Sequence, residues 1–219
     1  MTVDLRLYAL IDPAVAGGRS LGEIARLIAG SATLVQLRDK HGSTRQLVEE
    51  ARELTMVLAP LDIPLLINDR VDVALAAEAD GVHIGQDDMS PADARLLLGR
   101  TAIIGLSIKT VEQAKAAPLE LLDYVGVGGV YGTTSKETTS SPIGLEGLRA
   151  IVQTIRARKA NFPICGIAGI NADNAAAVIA AGADGVAVIS ALSLAPDPTQ
   201  AAEDLLGVVD AALDKRDQT

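Results

Sequence analysis

The chain has 219 residues, 49% of them hydrophobic and only 2% aromatic, with a formal net charge of −9. That length fits one medium domain or two small ones, and the scarcity of Phe, Tyr and Trp means that Ala, Val, Ile and Leu must build the core. An acidic chain so poor in aromatics argues against non-specific nucleic-acid binding. No stretch approaches the ~20 uninterrupted apolar residues of a membrane span.

The polar opening residues Met1 to Arg6 lack a signal-peptide core. The single cysteine, Cys165, excludes an intrachain disulfide and fits a reducing compartment. Lying inside the apolar run Pro163–Ile167, it reads as strand filler rather than as a nucleophile. The expected location is the cytoplasm.

Taken in chain order, Leu5–Ile11 is a strand stopped by Asp12-Pro13. Ser20 caps a helix from Leu21 to Ala29, with Glu23 completing a capping box. Ala32–Leu37 is the second strand, ending in the charged cluster Arg38-Asp39-Lys40. A helix from Ser43-Thr44 follows and stops at Pro60. Pro64–Ile67 and Asp80–Ile84 are the third and fourth strands, joined by a short helical pattern over Val71–Ala79. Ser90-Pro91 starts the next helix, with Pro at its first position. Ala102–Ser107 is strand five, Thr110 caps Val111–Ala117, and Leu122–Val127 is strand six. The stretch from Gly129 to Pro142, rich in Ser, Thr and Gly, is longer than an ordinary βα connection and reads as a lid or binding loop. A helix over Gly144–Ala160, strand seven over Pro163–Ile167, a helix over Ala175–Ala181, strand eight over Asp184–Ile189 and a last helix over Thr199–Ala212 complete the chain.

Strict alternation of eight strands with about as many helices, and no linker, predicts an α/β protein: one (β/α)₈ TIM barrel domain over residues 1–219. An open doubly wound sheet would usually carry a Gly-rich turn after strand one; Asp12-Pro13-Ala14-Val15 stands there instead. The phrase Ala-Asp-Gly-Val recurs before strands four and eight as helix-stop, strand-start punctuation.

In such barrels chemistry sits at the C-terminal strand ends. Those ends supply Gln36, Arg38 and Lys40; Asn68 and Asp69; His83, Gln86, Asp87 and Asp88; Ser107; Thr133 to Lys136; the Gly169-Ile170-Asn171 turn; and Ile189-Ser190. Gly169 and Ser190 precede helix starts whose N–H groups favour a phosphate. Asp69 and Asp88, on neighbouring strands beside Asn68 and basic residues, suggest Mg²⁺ shared with a diphosphate. Each residue also has a plain reading. Asn68-Asp69 suits a helix N-cap, Ser107 the next cap, and His83 a packed histidine. Asp87 competes with Asp88.

Together, Val35–Lys40, Leu66–Arg70, Gly81–Met89, Ile104–Ser107, Thr133–Lys136 and Val188–Ser190 resemble the thiamine-phosphate synthase family in order and spacing, from about Leu7 to Leu205. The resemblance implies that a pyrimidine diphosphate and a thiazole phosphate join to give thiamine phosphate and pyrophosphate. It implies pyrimidine-diphosphate contacts at Gln36, Leu37, Arg38, Asp39, Lys40, Asn68, Ser107 and Lys136, with Arg38, Lys40, Ser107 and Lys136 acting on the leaving group. It implies Mg²⁺ on Asp69 and Asp88, and thiazole-phosphate contacts at Thr133, Thr134, Ser135, Gly169, Ile189 and Ser190. Two small phosphorylated substrates are the expected partners, with neither nucleic acid nor membrane; a homo-oligomer is left open. The chain departs from the family at Gly129, where Pro is usual, at Ser135, where a third Thr is usual, and at Ala168, where Gly is usual. A positive φ at Ala168 would strain that turn. The competing readings are a thiazole tautomerase on the same fold, which has no use for the Asp69, Asp88 and Lys136 set, and a non-catalytic phosphate-ligand binding protein.

Overall fold

The computed structural model describes residues 3–133, 135 and 141–218. Strands β1 (Leu7–Ile11), β2 (Leu34–Leu37), β3 (Leu65–Asn68), β4 (Gly81–Ile84), β5 (Ile103–Ile108), β6 (Tyr124–Gly128), β7 (Ile164–Ile167) and β8 (Gly185–Val188) pair in parallel in chain order. β8 returns to pair with β1, so the sheet closes into the expected barrel. Around it lie α1 (Leu21–Ile28), α2 (Thr44–Leu58), α3 (Val71–Ala77), α4 (Pro91–Leu98), α5 (Val111–Ala116), α6 (Gly144–Arg158), α7 (Ala175–Ala180), the single turn α8 (Ser190–Ser193) and α9 (Pro198–Asp217). Strands begin up to two residues later than the apolar runs do, because the first residues of each run pack as connection.

The predicted helix starts hold for a physical reason. Ser20 Oγ accepts from Glu23 N at 3.1 Å, Ser90 Oγ from Asp93 N at 3.1 Å and Thr110 Oγ1 from Gln113 N at 3.2 Å, each satisfying an orphan donor of the first turn. The last helix is longer than expected, since Asp197 caps it ahead of Pro198. It closes the barrel against α1 and α7.

Two cores result from strand alternation. Outward side chains such as Val35, Leu37, Ile67 and Val82 pack under the helices. Inward ones, Tyr8, Leu10, Leu34, Leu66, Tyr124, Cys165 and Ala187, fill the barrel itself. The two interior tyrosines need room. A Cβ on Gly105 would lie 2.1 Å from the Tyr124 ring, so the neighbouring strand can carry only glycine there.

The recurring Asp-Gly punctuation has a structural role at the N-terminal end. The opening of each odd-numbered strand donates an N–H to the side chain just before the following strand. Leu7 donates to Thr33 Oγ1 at 3.1 Å, Leu65 to Asp80 at 2.8 Å, Ile104 to Asp123 at 2.8 Å and Ile164 to Asp184 at 3.0 Å. Arg95 also pairs with Asp123, and Arg156 and Arg216 both pair with Asp184. These four pins fix strand starts in register and leave the other end of the barrel free for chemistry.

Candidate active site

The rim at the C-terminal strand ends is held together by charge. Arg38, just past β2, forms an ion pair with Asp12 at the end of β1. Asp12 is buried and also accepts from Ala14 N at 2.9 Å, so one carboxylate both turns the chain and aims a guanidinium. Lys40 pairs with Asp69 across from β2 to β3. Asp69 has φ +62°, a left-handed conformation unfavourable for a residue with a side chain. The helix-cap reading of Asn68-Asp69 does not hold: Arg70 occupies the N-cap position of α3, with no side-chain cap. The Asp69 carboxylate is spent on the rim instead.

Asp88, on the loop after β4, accepts from Gly85 N at 2.7 Å and meets the Asp69 carboxyl within hydrogen-bonding range. Burial would push Asp69 up, but hydrogen bonds from Lys40 and Asp88 and the Lys40 charge hold it below the usual carboxylate range. Burial, then the bond to Asp69 and its negative charge, push Asp88 up. The pair thus sets two hard oxygen donors side by side, with Asp69 the more readily ionised of the two. Among the described residues no group of three His, Cys, Asp or Glu side chains could hold a metal. Two carboxylates in this relation fit a Mg²⁺ ion that takes its other ligands from phosphate and water. Asp88 makes this contact rather than Asp87.

Ser107 does not cap α5, since Thr110 does. Its Oγ lies 2.9 Å from His83 Nε2, and His83 Nδ1 lies 2.7 Å from the Tyr124 hydroxyl. His83 is thus the hydrogen-bonding histidine that its place in the strand suggests. Ser107 lines a cavity of about 520 Å³ with Lys109, Gly126, Gly129, Tyr131 and Thr133. A second cavity of about 560 Å³ is lined by Gly132, Thr133, Gly169, Asn171, Ser190 and Ala191. Gly132 and Thr133 line both.

The second cavity is built from the turn after β7 and the start of α8. Asn174 Nδ2 donates to Gly169 O at 2.9 Å, fixing that turn. Gly169 has φ +68°, and a Cβ on it would lie 2.4 Å from Gly132 O, so the position admits only glycine. Ala168 beside it has φ +80°, the strained conformation that its departure from glycine foreshadows. The base of the loop after β6 is stapled shut. Ile143 N donates to Gly129 O at 2.9 Å, and Gly144 N to Val130 O at 3.1 Å.

The profile described as thiamine monophosphate synthase matches residues 7–192. The chain belongs to the thiamine monophosphate synthase family. It is 48% identical to a thiamine-phosphate synthase of Chloroflexus aurantiacus, over 97% of this chain and 96% of that one. It is 46% identical to one from Agrobacterium fabrum, over 98% of each. A solved thiamine phosphate pyrophosphorylase from Pyrococcus furiosus is 36% identical, with a TM-score of 0.83, and covers 96% of this chain and 98% of that one.

Along this rim Lys40, Asp69 and Asp88 come together, Arg38 is held by Asp12, and Thr133, Gly169 and Ser190 line one cavity. Ser107 lies on the wall of the adjoining cavity. Thr133 Oγ1 accepts from Ser135 N at 3.1 Å. Asn68 is the last residue of β3, and Ile189 is the N-cap residue of α8. Two expected contacts are differently employed. The Leu37 side chain packs into the helix-facing core, leaving only its backbone for a ligand. Asp39 Oδ1 accepts from His41 N at 2.8 Å and Gly42 N at 2.9 Å, which makes it the builder of its own turn. Thr134 and Lys136 lie outside the described residues.

Sequence reasoning missed Asp12, Tyr8 and Tyr124 as parts of the site, while Asn171, named with the Gly169 turn, does line the second cavity. Asp12 is an acidic residue at an apolar strand end, the same signal that exposed Asp69. Tyr8 and Tyr124 are two of only four aromatic side chains in the chain, and both sit inside apolar strand runs.

Proposed function

We propose that this chain is a transferase that joins a hydroxymethylpyrimidine diphosphate to a thiazole phosphate, giving thiamine phosphate and pyrophosphate, and that it acts in the cytoplasm. The observation that carries the reading is the pair of rim cavities sharing a wall at Gly132 and Thr133. One opens beside Ser107; the other is walled by Gly169 and Ser190 and suits a phosphate monoester at the start of α8. Two substrates held this way meet at the shared wall.

The C–O bond to diphosphate breaks, and pyrophosphate leaves with the electron pair. The electron-rich aminopyrimidine stabilises the methylene cation, and the thiazole nitrogen supplies the pair for the new C–N bond. Nothing in this sequence requires a nucleophile or a general base from the protein; positioning and charge do the chemistry. Arg38, Lys40, Ser107 and Lys136 meet the leaving oxygens. Gln36 and Asn68 hold the pyrimidine, and Thr133, Thr134, Ser135, Gly169, Ile189 and Ser190 hold the thiazole phosphate. Arg38, aimed by Asp12, and Lys40, beside Asp69, take up the diphosphate as it binds. Asp69 and Asp88 would hold Mg²⁺, which when bound offsets charge on the diphosphate.

A pyrophosphate-release assay with both substrates, with and without Mg²⁺, on the wild type and Lys136→Ala tests this. Release should need both substrates and Mg²⁺ and collapse in the variant. Thiazole-phosphate binding with no release would return the chain to the tautomerase or binding-protein reading.

A further inference from the structure

Beneath the rim, five polar side chains cross the barrel interior in one line of hydrogen bonds. The Gln36 amide Nε2 donates to the Tyr8 hydroxyl. The Tyr8 and Tyr124 hydroxyls are 2.8 Å apart, the Tyr124 hydroxyl is 2.7 Å from His83 Nδ1, and His83 Nε2 is 2.9 Å from Ser107 Oγ. Gln36, Tyr8, Tyr124 and His83 are all buried, while Ser107 faces the 520 Å³ cavity. The rings are fixed in place: Tyr8 and Tyr124 pack edge to face at 84°, with centroids 5.7 Å apart.

Such a line has a direction, because each phenol and each unprotonated-at-one-nitrogen imidazole has a single proton to give. Burial keeps both phenols protonated. With the Gln36 N–H spent on Tyr8, Tyr8 gives its proton to Tyr124, and Tyr124 gives its proton to His83 Nδ1. His83 then carries its own proton on Nε2 and donates it to Ser107 Oγ. Ser107 accepts from below, and its hydroxyl proton is left to point into the cavity. In the opposite order Ser107 would give its proton to His83 and offer the site only lone pairs.

Two observations select the first order. Gln36 Oε1 has no hydrogen-bond partner among the described residues. Turning the amide over would bury an NH₂ with two unpaired protons in its place, and buried orphan N–H groups are rarer than under-satisfied carbonyls. The second observation rests on the proposed function: a diphosphate has only acceptors to offer, so Ser107 must donate.

We infer that Tyr8, Tyr124 and His83 are positioning residues, a directional relay anchored at Gln36 that holds the Ser107 hydroxyl as a hydrogen-bond donor toward the diphosphate. They act through Ser107. The relay explains why a barrel interior otherwise filled by aliphatic groups carries two tyrosines and a histidine.

Nitrogen-15 NMR of the ligand-free protein reads the relay directly. The chain has two histidines, and His41→Gln assigns the His83 signals. The expected result is His83 protonated at Nε2 and bare at Nδ1, with the two tautomers mixing in Tyr124→Phe. In the pyrophosphate-release assay, Tyr124→Phe should lower kcat about tenfold and leave the KM for thiazole phosphate within about twofold, while Ser107→Ala costs roughly a hundredfold. The double variant should be no worse than Ser107→Ala alone. Tyr8→Phe, which keeps the ring, should lower kcat in the same direction by less. Protonation of His83 at Nδ1 in the wild type, or losses that multiply in the double variant, would overturn the relay. If the wild type releases no pyrophosphate, the functional reading fails, and the histidine spectrum still decides the relay.

Discussion

At the N-terminal end of the barrel, Asp184 meets two arginines and the Ile164 N–H. At the C-terminal end, Asp69 meets one lysine and a second carboxyl, on a left-handed backbone. Both are aspartates beside a strand of the same sheet. The first is surrounded by more positive charge and donors than it needs, and it pins a strand. The second is short of positive charge and strained, which is how a site waiting for a cation and an anion looks. Cavity size does not separate the two ends. The lower one holds a larger cavity, about 710 Å³, lined by Arg149, Arg156, Arg216 and Asp184. Two of its arginines are already spent on carbonyls and Asp184: Arg156 donates to Ala160 O at 3.0 Å and Arg216 to Ala183 O at 2.7 Å.

The contrast breaks most sharply at Asp69 and Asp88. Asp69→Asn or Asp88→Asn should each lower kcat by roughly a thousandfold or more, since removing a group that organises charge at the leaving oxygens costs several kcal/mol. Asp88→Asn relieves like-charge repulsion, so its Tm should hold or rise, whereas Asp69→Asn also loses the Lys40 ion pair and its Tm should hold or fall slightly. Pyrophosphate release and thermal unfolding on the same samples check both halves. A falling Tm with activity intact would make these carboxylates structural pins like those below.

Asp184→Ala should do the reverse. It leaves the Ile164 N–H unpaired and takes the carboxylate partner from two arginines, at about 2–3 kcal/mol, which for a chain of this size is a Tm loss of roughly 4–10 °C. kcat per folded molecule should stay within about twofold. Asp80→Ala is the graded control. Asp80 is exposed and has no arginine partner among the described residues, so water can replace its bond to Leu65 N, and the loss should be under about 1 kcal/mol. Equal losses at both positions would mean that the arginines contribute nothing.

Asp12 sharpens the comparison, being buried like a pin but placed at the rim. Asp12→Asn keeps an oxygen for Ala14 N and removes the charge that aims Arg38. kcat/KM for the pyrimidine diphosphate should fall about tenfold through misplacement of one phosphate ligand. Steady-state kinetics with varied diphosphate substrate reads it, and unchanged kcat/KM would show that Arg38 needs no aiming.

The barrel was legible because its signals are local. Apolar runs ended by charge, Ser and Thr caps and Asp-Gly punctuation each act within a few residues. The rim residues were legible for the same reason, each being the first polar group after a strand. What escaped was set by parity and by contacts between strands. Leu37 sits between Gln36 and Arg38 in sequence, yet the pleat turns its side chain to the other face. Asp39 stands in the same charged cluster, and its side chain binds the N–H groups of His41 and Gly42, two and three residues on. The line from Gln36 to Ser107 joins five strands' worth of sequence separation, and no spacing rule announces it.

Ala168 gives the smallest effect and the finest test. Its neighbour Gly169 cannot carry a side chain, because a Cβ would run into Gly132 O. Ala168 instead lines the cavity beside Ser107, where the fold already accommodates its methyl. The cost argued at Ala168 is that of backbone handedness, at φ +80°. Ala168→Gly removes about 1–2 kcal/mol of left-handed strain and returns part of that as extra freedom of the unfolded chain. The net gain should be about 1 kcal/mol, a Tm rise of roughly 2–4 °C by calorimetry. Gly169→Ala, one residue on, should lose several times that and weaken binding of the proposed thiazole phosphate at the second cavity. If both substitutions instead shift Tm alike, the turn after β7 tolerates side chains, and the wall between the two cavities is softer than its geometry indicates.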